Sequence, residues 1–383
     1  VYEKIESYEA EMVACRKDLH RHPELAFEEE RTSDVVAQKL ASWGIEVHRG
    51  LAKTGVVGCL KVGNSKASIG VRADMDALPI LEANTFEHRS TREGVMHACG
   101  HDGHTTMLLC AAKYLAETQQ FDGTVIFIFQ PAEENLGGGK VMVEQGLFEQ
   151  FPVDAVYGMH NWPGMDVGKF GMRDGVAMAA FDSFEITVTG VGAHAAKPEA
   201  GVDAIVVGSQ IVSALQSIVA RNIAPLDNAV ISVTQFHGGD AWNVLPETVT
   251  LRGCARSLVS EVQAQIESAM ERVIAGVCQA YGARHALDYH HGYPVTVNSV
   301  RETDVARSVT AELVGEKNVD PQIPPTMGSE DFGFMLQERP GSYIVLGNGD
   351  SHGLHNPHYE FNDAALTLGA KYWAHLVETQ LRV

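Results

Sequence analysis

Four short stretches of the chain concentrate side chains that bind metals or move protons. His97-Ala98-Cys99-Gly100-His101-Asp102-Gly103-His104 places three histidines, a cysteine and an aspartate within eight residues, a density that packing alone does not call for. Imidazole and thiolate suit zinc and its neighbours in the transition series. Cys99 stands in no C-x-x-C pair and beside no second thiol, so redox chemistry is not expected of it. Phe129-Gln130-Pro131-Ala132-Glu133-Glu134 follows an apolar run and ends in adjacent carboxylates. One of such a pair can bind metal while its neighbour takes a proton from the attacking water. Gly158-Met159-His160-Asn161 and Leu354-His355-Asn356-Pro357-His358 add imidazoles at the end of another apolar run and in the C-terminal part.

Each stretch alone has an ordinary explanation, as a capping loop, a solvated Glu-Glu pair or a packed histidine. Converging beyond the strand ends of one sheet, Cys99, His101, Glu134, His160 and His355 supply enough ligands for two divalent cations. Cations of that kind sit roughly 3.5 to 4 Å apart and share one attacking oxygen between two Lewis acids. Zn, Mn, Co and Ni are all compatible with the donor set.

The elements that must position these residues read as an α/β layer. Two helices, from Tyr2 to about Arg21 and from Glu29 to Ser42, open the chain around an extended break at His22-Pro23. Strand-like runs (Val56 to Val62, Ser68 to Arg72, Gly123 to Phe129, Ala155 to Met159) then alternate with helical ones (Thr105 to Thr118, Gly138 to Gln145). That alternation predicts a mainly parallel sheet, whose sites lie beyond the carboxyl ends of the strands. From about Phe181 to Tyr293 the order becomes strand, helix, strand, strand, helix, strand, a ferredoxin-like βαββαβ unit inserted into the first domain. The expected division is residues 1–180 with 294–383 as the metal-binding domain and 181–293 as the insertion. Val300 to Val314 and Ala364 to Gln380 read as helices and Ser342 to Leu346 as a short strand.

Bulk composition fits a folded enzyme and excludes other classes. The 383 residues carry 49 acidic and 29 basic side chains, a formal charge of −20, which repels phosphate backbones and anionic lipid heads. Nucleic-acid and membrane-surface roles are therefore not expected. The six cysteines are scattered without the spacing of a disulfide framework, which points to a reducing, cytoplasmic setting. The longest apolar stretch, Ile205 to Ala220, is broken by Gly208, Ser209 and Gln210 and reads as short of a membrane span. No basic and apolar leader is visible at Val1.

Five ordered motifs carry a resemblance that covers nearly the whole chain. They are Arg72-Ala73-Asp74-Met75-Asp76-Ala77-Leu78-Pro79, His97 to His104, Gln130 to Glu134, Gly192-Ala193-His194-Ala195-Ala196 and Leu354 to Asp363. Together they resemble the co-catalytic metallopeptidase family of aminoacylases and carboxypeptidases, in its amidohydrolase branch of hippurate, N-acyl-amino-acid and auxin-conjugate hydrolases. The resemblance implies metal ligation by Cys99, His101, Glu134, His160 and His355, with Glu133 as general base and then general acid. Where other branches carry His-x-Asp this chain has Asp74-Met75-Asp76, so the ligand set is the cysteine-containing one and Asp76 orients the ligands from behind. The resemblance also implies that His194 reaches a neighbouring subunit's site to stabilise the oxyanion, making the insertion a lid and dimerisation domain of a homodimer or higher homo-oligomer. Asn243 and Arg256 are candidates for a substrate carboxylate. The implied substrate is a small N-acyl amino acid.

Other readings are weaker. Gly349-Asp350-Ser351-His352-Gly353 matches a nucleophile elbow, with Asp363 and His375 following in triad order, but Pro357 and the absence of helical periodicity deny the elbow its helix. Gly137-Gly138-Gly139-Lys140 lacks the first glycine and the Ser or Thr of a phosphate loop. A dipeptidase or carboxypeptidase of the same family, or a relative that binds peptides without catalysis, remain the alternatives.

Overall fold

A computed structural model describes residues 2–134 and 136–382. The chain divides into two compact units, one of residues 1–177, 297–324 and 331–383 and one of residues 178–296 and 325–330. The short stretch 325–330 belongs with the insertion and not, as the sequence pattern predicts, with the first domain.

The first unit is built on an eight-stranded sheet in the order Glu46–Arg49, Val56–Val62, Gly123–Gln130, Ser68–Asp74, Ala155–Pro163, Gly341–Gly349, Phe170–Gly171 and Val319–Asp320. The four central strands run parallel, and antiparallel pairings occur toward both edges. Val71, Phe127, Phe129 and Tyr157 on these strands are fully buried. Such runs read as unbroken apolar segments because helices cover both faces of a parallel sheet. Helices Glu30–Ser42, His101–Thr118, Val300–Val314 and Leu366–Gln380 are among those covering it, and Glu9–Arg21 packs on His101–Thr118 and Leu366–Gln380. Strand Ser68–Asp74 runs two residues further than expected and carries Asp74 into the core.

Helix His101–Thr118 begins four residues before the expected start at Thr105. Amphipathic periodicity could not show this, because the helix is buried on nearly every side up to Leu115. Its start is set by Gly100 at φ 95°, where a side chain would collide with Asn161 and Tyr359. Helix Phe332–Glu338, seven residues long, went unrecognised in the sequence. The opening helical run is interrupted, giving Glu3–Glu6 and Glu9–Arg21.

The second unit carries a four-stranded antiparallel sheet in the order Ala229–His237, Thr248–Ser257, Ala180–Thr189 and Arg284–Tyr293. This is the split βαβ order, with the first and third strands adjacent at the centre. Helices Ala204–Arg221 and Ser260–Tyr281 bury Val207, Ile211, Leu215, Ile266, Met270 and Ile274 in its core. With 18 residues at a mean hydropathy of 1.4, Ala204–Arg221 does meet the length and composition of a membrane span, contrary to the sequence reading. In the fold one face of that helix packs on the sheet, which accounts for Val207, Ile211, Leu215 and Ile218 but leaves Ile205 and Val206 exposed.

Candidate metal centre

Glu133 and Glu134 follow strand Gly123–Gln130, His160 lies near the carboxyl end of strand Ala155–Pro163, His355 follows strand Gly341–Gly349, and Cys99 and His101 stand at the start of helix His101–Thr118. The ligand atoms of Cys99, His101 and His160 lie within 4.8 Å of one another, as do those of Cys99, Glu134 and His355, and those of His101, Glu133 and Glu134. All five expected ligands, together with Glu133, therefore belong to overlapping groups, and Cys99 joins two of them. Cys99 Sγ is 3.4 Å from His160 Nε2, and Glu134 Oε1 is 3.0 Å from His355 Nε2.

The imidazoles are held from behind. The His160 Nδ1–H donates to the Asn161 carbonyl at 2.6 Å, leaving the Nε2 lone pair turned toward Cys99. His101 donates from Nδ1 to Asp76 Oδ1 at 3.2 Å, while its buried Nε2 has no hydrogen-bond partner. The same Asp76 carboxylate accepts the backbone amides of Glu133 at 3.1 Å and Glu134 at 2.9 Å. One buried carboxylate thus sets the positions of a ligand imidazole and of both glutamates. His355 adopts φ 63°, and its amide donates to the Ala98 carbonyl at 2.8 Å, tying the C-terminal loop to the cysteine loop.

The sequence reading missed a second set of supporting residues. His104 donates from Nδ1 to Asp74 Oδ1 at 2.6 Å and accepts the Asn161 amide at Nε2 at 3.0 Å. Asn161 Nδ2 donates to the Cys99 carbonyl at 2.6 Å, and its Oδ1 accepts the Tyr359 hydroxyl at 2.7 Å. Buried Arg72 donates to Asp74 at 2.6 Å, Gln130 at 2.8 Å and Asp331 at 3.0 Å. Arg72 and Asp74, polar inside the apolar strand Ser68–Asp74, were the available signal; the His104, Asn161 and Tyr359 pairings are distant in sequence and left none.

Electrostatics separate the groups. Burial, with the Glu134 and Glu133 charges, pushes the Cys99 thiol well above the usual thiol range. Burial and the neighbouring His104 keep His160 neutral, well below the usual imidazole range. Burial opposes charge on His101, yet Asp74 and Asp76 hold its pKa up at about 10. Burial opposes charge on Asp74 as well, but His101 and Arg72 hold its carboxyl well below the carboxylate range. A thiol that cannot ionise unaided beside carboxylates, a neutral imidazole lone pair and a buried imidazole nitrogen that makes no hydrogen bond are an environment that divalent cations would convert into a ligand set. The residues present fit such a pair of cations.

His194, Asn243 and Arg256 belong to the second unit. His194 is exposed on a two-residue strand whose register pairs it with Val244, and the Ala195 amide donates to the Asn243 carbonyl at 2.9 Å. His194 and Asn243 are thus neighbours on one small ribbon. The Ala196 amide donates to His194 Nδ1 at 3.0 Å, which places the ring proton of the neutral imidazole on Nε2. Arg256 donates from Nη1 to the Met327 carbonyl at 3.0 Å and to Ser329 Oγ at 2.8 Å, with its guanidinium 4.8 Å over the Phe181 ring. The Ser351 loop has no following helix; Asp363 binds Arg16 and His375 binds Glu312, so no serine triad forms. All six cysteines are unpaired.

The fold and the clustered donor residues suit a metal-dependent hydrolase, and comparison with known proteins assigns the family. Residues 70–379 match peptidase family M20/M25/M40, and the chain belongs to that family. Within it the chain falls in the amidohydrolase branch. It is similar to a hippurate hydrolase of Campylobacter jejuni, 44% identical over 374 residues that cover 98% of this chain and 97% of that protein. An N-acetylcysteine deacetylase of Bacillus subtilis is 36% identical over 372 residues, covering 97% of each chain. The crystal structure of the Bacillus subtilis YXEP protein, described as a dinuclear metal-binding peptidase of family M20, superposes with a TM-score of 0.85 at 32% identity, covering 98% of this chain and 99% of that one.

Proposed function

We propose that this enzyme hydrolyses the amide bond of small N-acyl amino acids, releasing a carboxylic acid and a free amino acid. The observation that carries the reading is the convergence of Cys99, His101, Glu134, His160 and His355 in overlapping groups with Glu133 beside them. Those five residues would hold two divalent cations, which supply Lewis acidity to the scissile carbonyl and activate water when bound. Glu133 then accepts the proton of the attacking water and returns it to the departing amine. Asp76, bonded to both glutamate amides and to His101, keeps that base in register with the ligands.

Exposed His194, with its Nδ1 occupied by the Ala196 amide and its Nε2–H uncommitted to that bond, suits donation to the oxyanion in a neighbouring subunit's site, so the active species is a homodimer or larger. Asn243 on the same ribbon, and Arg256 through the nitrogens it does not commit to Met327 and Ser329, would receive the substrate carboxylate. The C. jejuni and B. subtilis relatives bear names that point to benzoyl and acetyl groups, and we place this enzyme's substrates in the same N-acyl amino acid class. Unpaired cysteines and a thiolate ligand suit the cytoplasm.

The test is a panel of N-benzoyl, N-acetyl and indoleacetyl amino acids, with dipeptides as controls, assayed after chelation and reloading with Zn, Mn, Co or Ni. Turnover of N-acyl amino acids in preference to dipeptides, abolished by chelation and restored by metal, is expected. Activity indifferent to chelation, or confined to dipeptides, would overturn the reading.

A further inference from the structure

The turn that delivers Glu133 is held in an unfavourable conformation by a residue 103 positions earlier in the chain. Ala132 adopts φ 54°, in the left-handed region that side chains other than glycine rarely enter. Its amide donates to Glu29 Oε1 at 2.9 Å, and its carbonyl accepts the Gly138 amide at 2.8 Å. Glu29 is fully buried, and its carboxylate serves more than this one loop. Oε1 also accepts the amide of Phe27 at 3.0 Å, itself at φ 62°. Oε2 accepts the hydroxyl of Thr54 at 2.6 Å, directly after Ala52 and Lys53 at φ 49° and 71°. Three loops that each contain left-handed residues therefore meet on one carboxylate.

Glu29 is not occupied with its own helix. The amides of Arg31 and Thr32 at the start of Glu30–Ser42 are capped instead by Glu24, at 3.0 and 2.8 Å. Along the catalytic turn, three consecutive amides are received by two buried carboxylates, that of Ala132 by Glu29 and those of Glu133 and Glu134 by Asp76. Burial raises the Glu29 pKa to about 7, with Asp76 adding to the rise, although the Thr54 hydroxyl and the Ala132 amide pull it down. The unfavourable burial of this carboxylate is thus offset by the donors of the three loops.

We infer that Glu29 is a positioning residue for catalysis: by binding the Ala132 amide it maintains the left-handed turn that aims Glu133. This rests on the reading of Glu133 as the general base. Apolar replacement removes both acceptors, whereas glutamine can keep its carbonyl oxygen on the Ala132 and Phe27 amides and donate to a reversed Thr54 hydroxyl.

The experiment compares metal-loaded wild type with Glu29→Met, Glu29→Gln, Ala132→Gly and the Glu29→Met/Ala132→Gly double variant. Three readouts are taken: kcat and KM on an N-acyl amino acid, bound metal, and amide exchange of the segment 130–134 by mass spectrometry. Glu29→Met is expected to lower kcat at least tenfold with KM within threefold, to retain metal, and to speed exchange of that segment. Glu29→Gln should keep most of kcat. Glycine at 132 should recover several-fold of the lost kcat, because the turn then needs no external hold. If Glu29→Met does not fold, Glu29→Asp, which withdraws the carboxylate by one methylene, should show the same split in smaller measure. Unchanged kcat, unchanged exchange over 130–134, or no recovery with Ala132→Gly would each overturn the inference. Undiminished turnover in Glu133→Gln would instead remove the general-base reading, while the exchange result at Ala132 would stand.

Discussion

Asp76→Asn isolates the residue on which His101, Glu133 and Glu134 converge. Asp76 Oδ1 accepts His101 Nδ1–H and the Glu133 amide, and Oδ2 accepts the Glu134 amide. The best placement of asparagine keeps its oxygen on the first two and turns an N–H onto the amide of Glu134. Leaving one such donor unmatched costs about 1 to 3 kcal/mol, toward the lower end because Glu134 is only partly buried. The two surviving bonds lose their charge assistance, roughly another 1 kcal/mol each. Chelated Asp76→Asn should therefore be about 3 to 4 kcal/mol less stable to urea than chelated wild type. Because His101 and Glu134 both lose their support, metal affinity in a chelator-competition titration should fall about 10- to 100-fold. A stability change below about 1 kcal/mol together with unaltered affinity would refute the assignment of Asp76 as their common support.

Three further outcomes follow from the same geometry. Cys99 in the metal-loaded enzyme should resist thiolate-directed alkylation and become labelled after chelation; equal labelling of both forms would remove it from the ligand set. His20 is fully buried against Asp102 at 2.9 Å and Glu82 at 3.1 Å, and although burial opposes its charge these partners raise its pKa to about 9. Its stabilisation, up to roughly 3 kcal/mol, should be complete below about pH 6.5 and be lost as the pH rises through about 9, so the urea-stability gap to His20→Gln must narrow across that window; a constant gap would contradict the charge assignment. Inactive His194→Ala and Glu133→Gln proteins should recover activity on subunit exchange, since one site of the mixed dimer has both a native base and a native partner histidine; no recovery in a verified heterodimer would deny His194 a role across subunits.

Much of the candidate site was legible because residue types able to bind metals stand out from their surroundings. Cys99, His101, Glu134, His160 and His355 interrupt apolar or small-residue segments at the ends of strand and helix patterns. The supporting residues were less legible, because support is a matter of distance in space. Glu29 and Ala132 are 103 positions apart, and Asn161 and Tyr359 are 198 apart. Glu29 reads in sequence as one of several acidic residues opening a helix, when it is fully buried. The early start of helix His101–Thr118 was hidden for a related reason: full burial removes the polar face that periodicity needs. Helix Phe332–Glu338 is too short for its periodicity to register.

The division of labour between adjacent glutamates is the centre of the account, and Glu133→Gln tests it most directly. The variant keeps the backbone amides on Asp76 and leaves Glu134 as the ligand. Metal content measured alongside turnover on an N-acyl amino acid should show the same metal bound as in wild type and a kcat lower by at least about a hundredfold. Near-normal turnover accompanied by loss of metal would show that the roles of Glu133 and Glu134 are exchanged and would contradict the account.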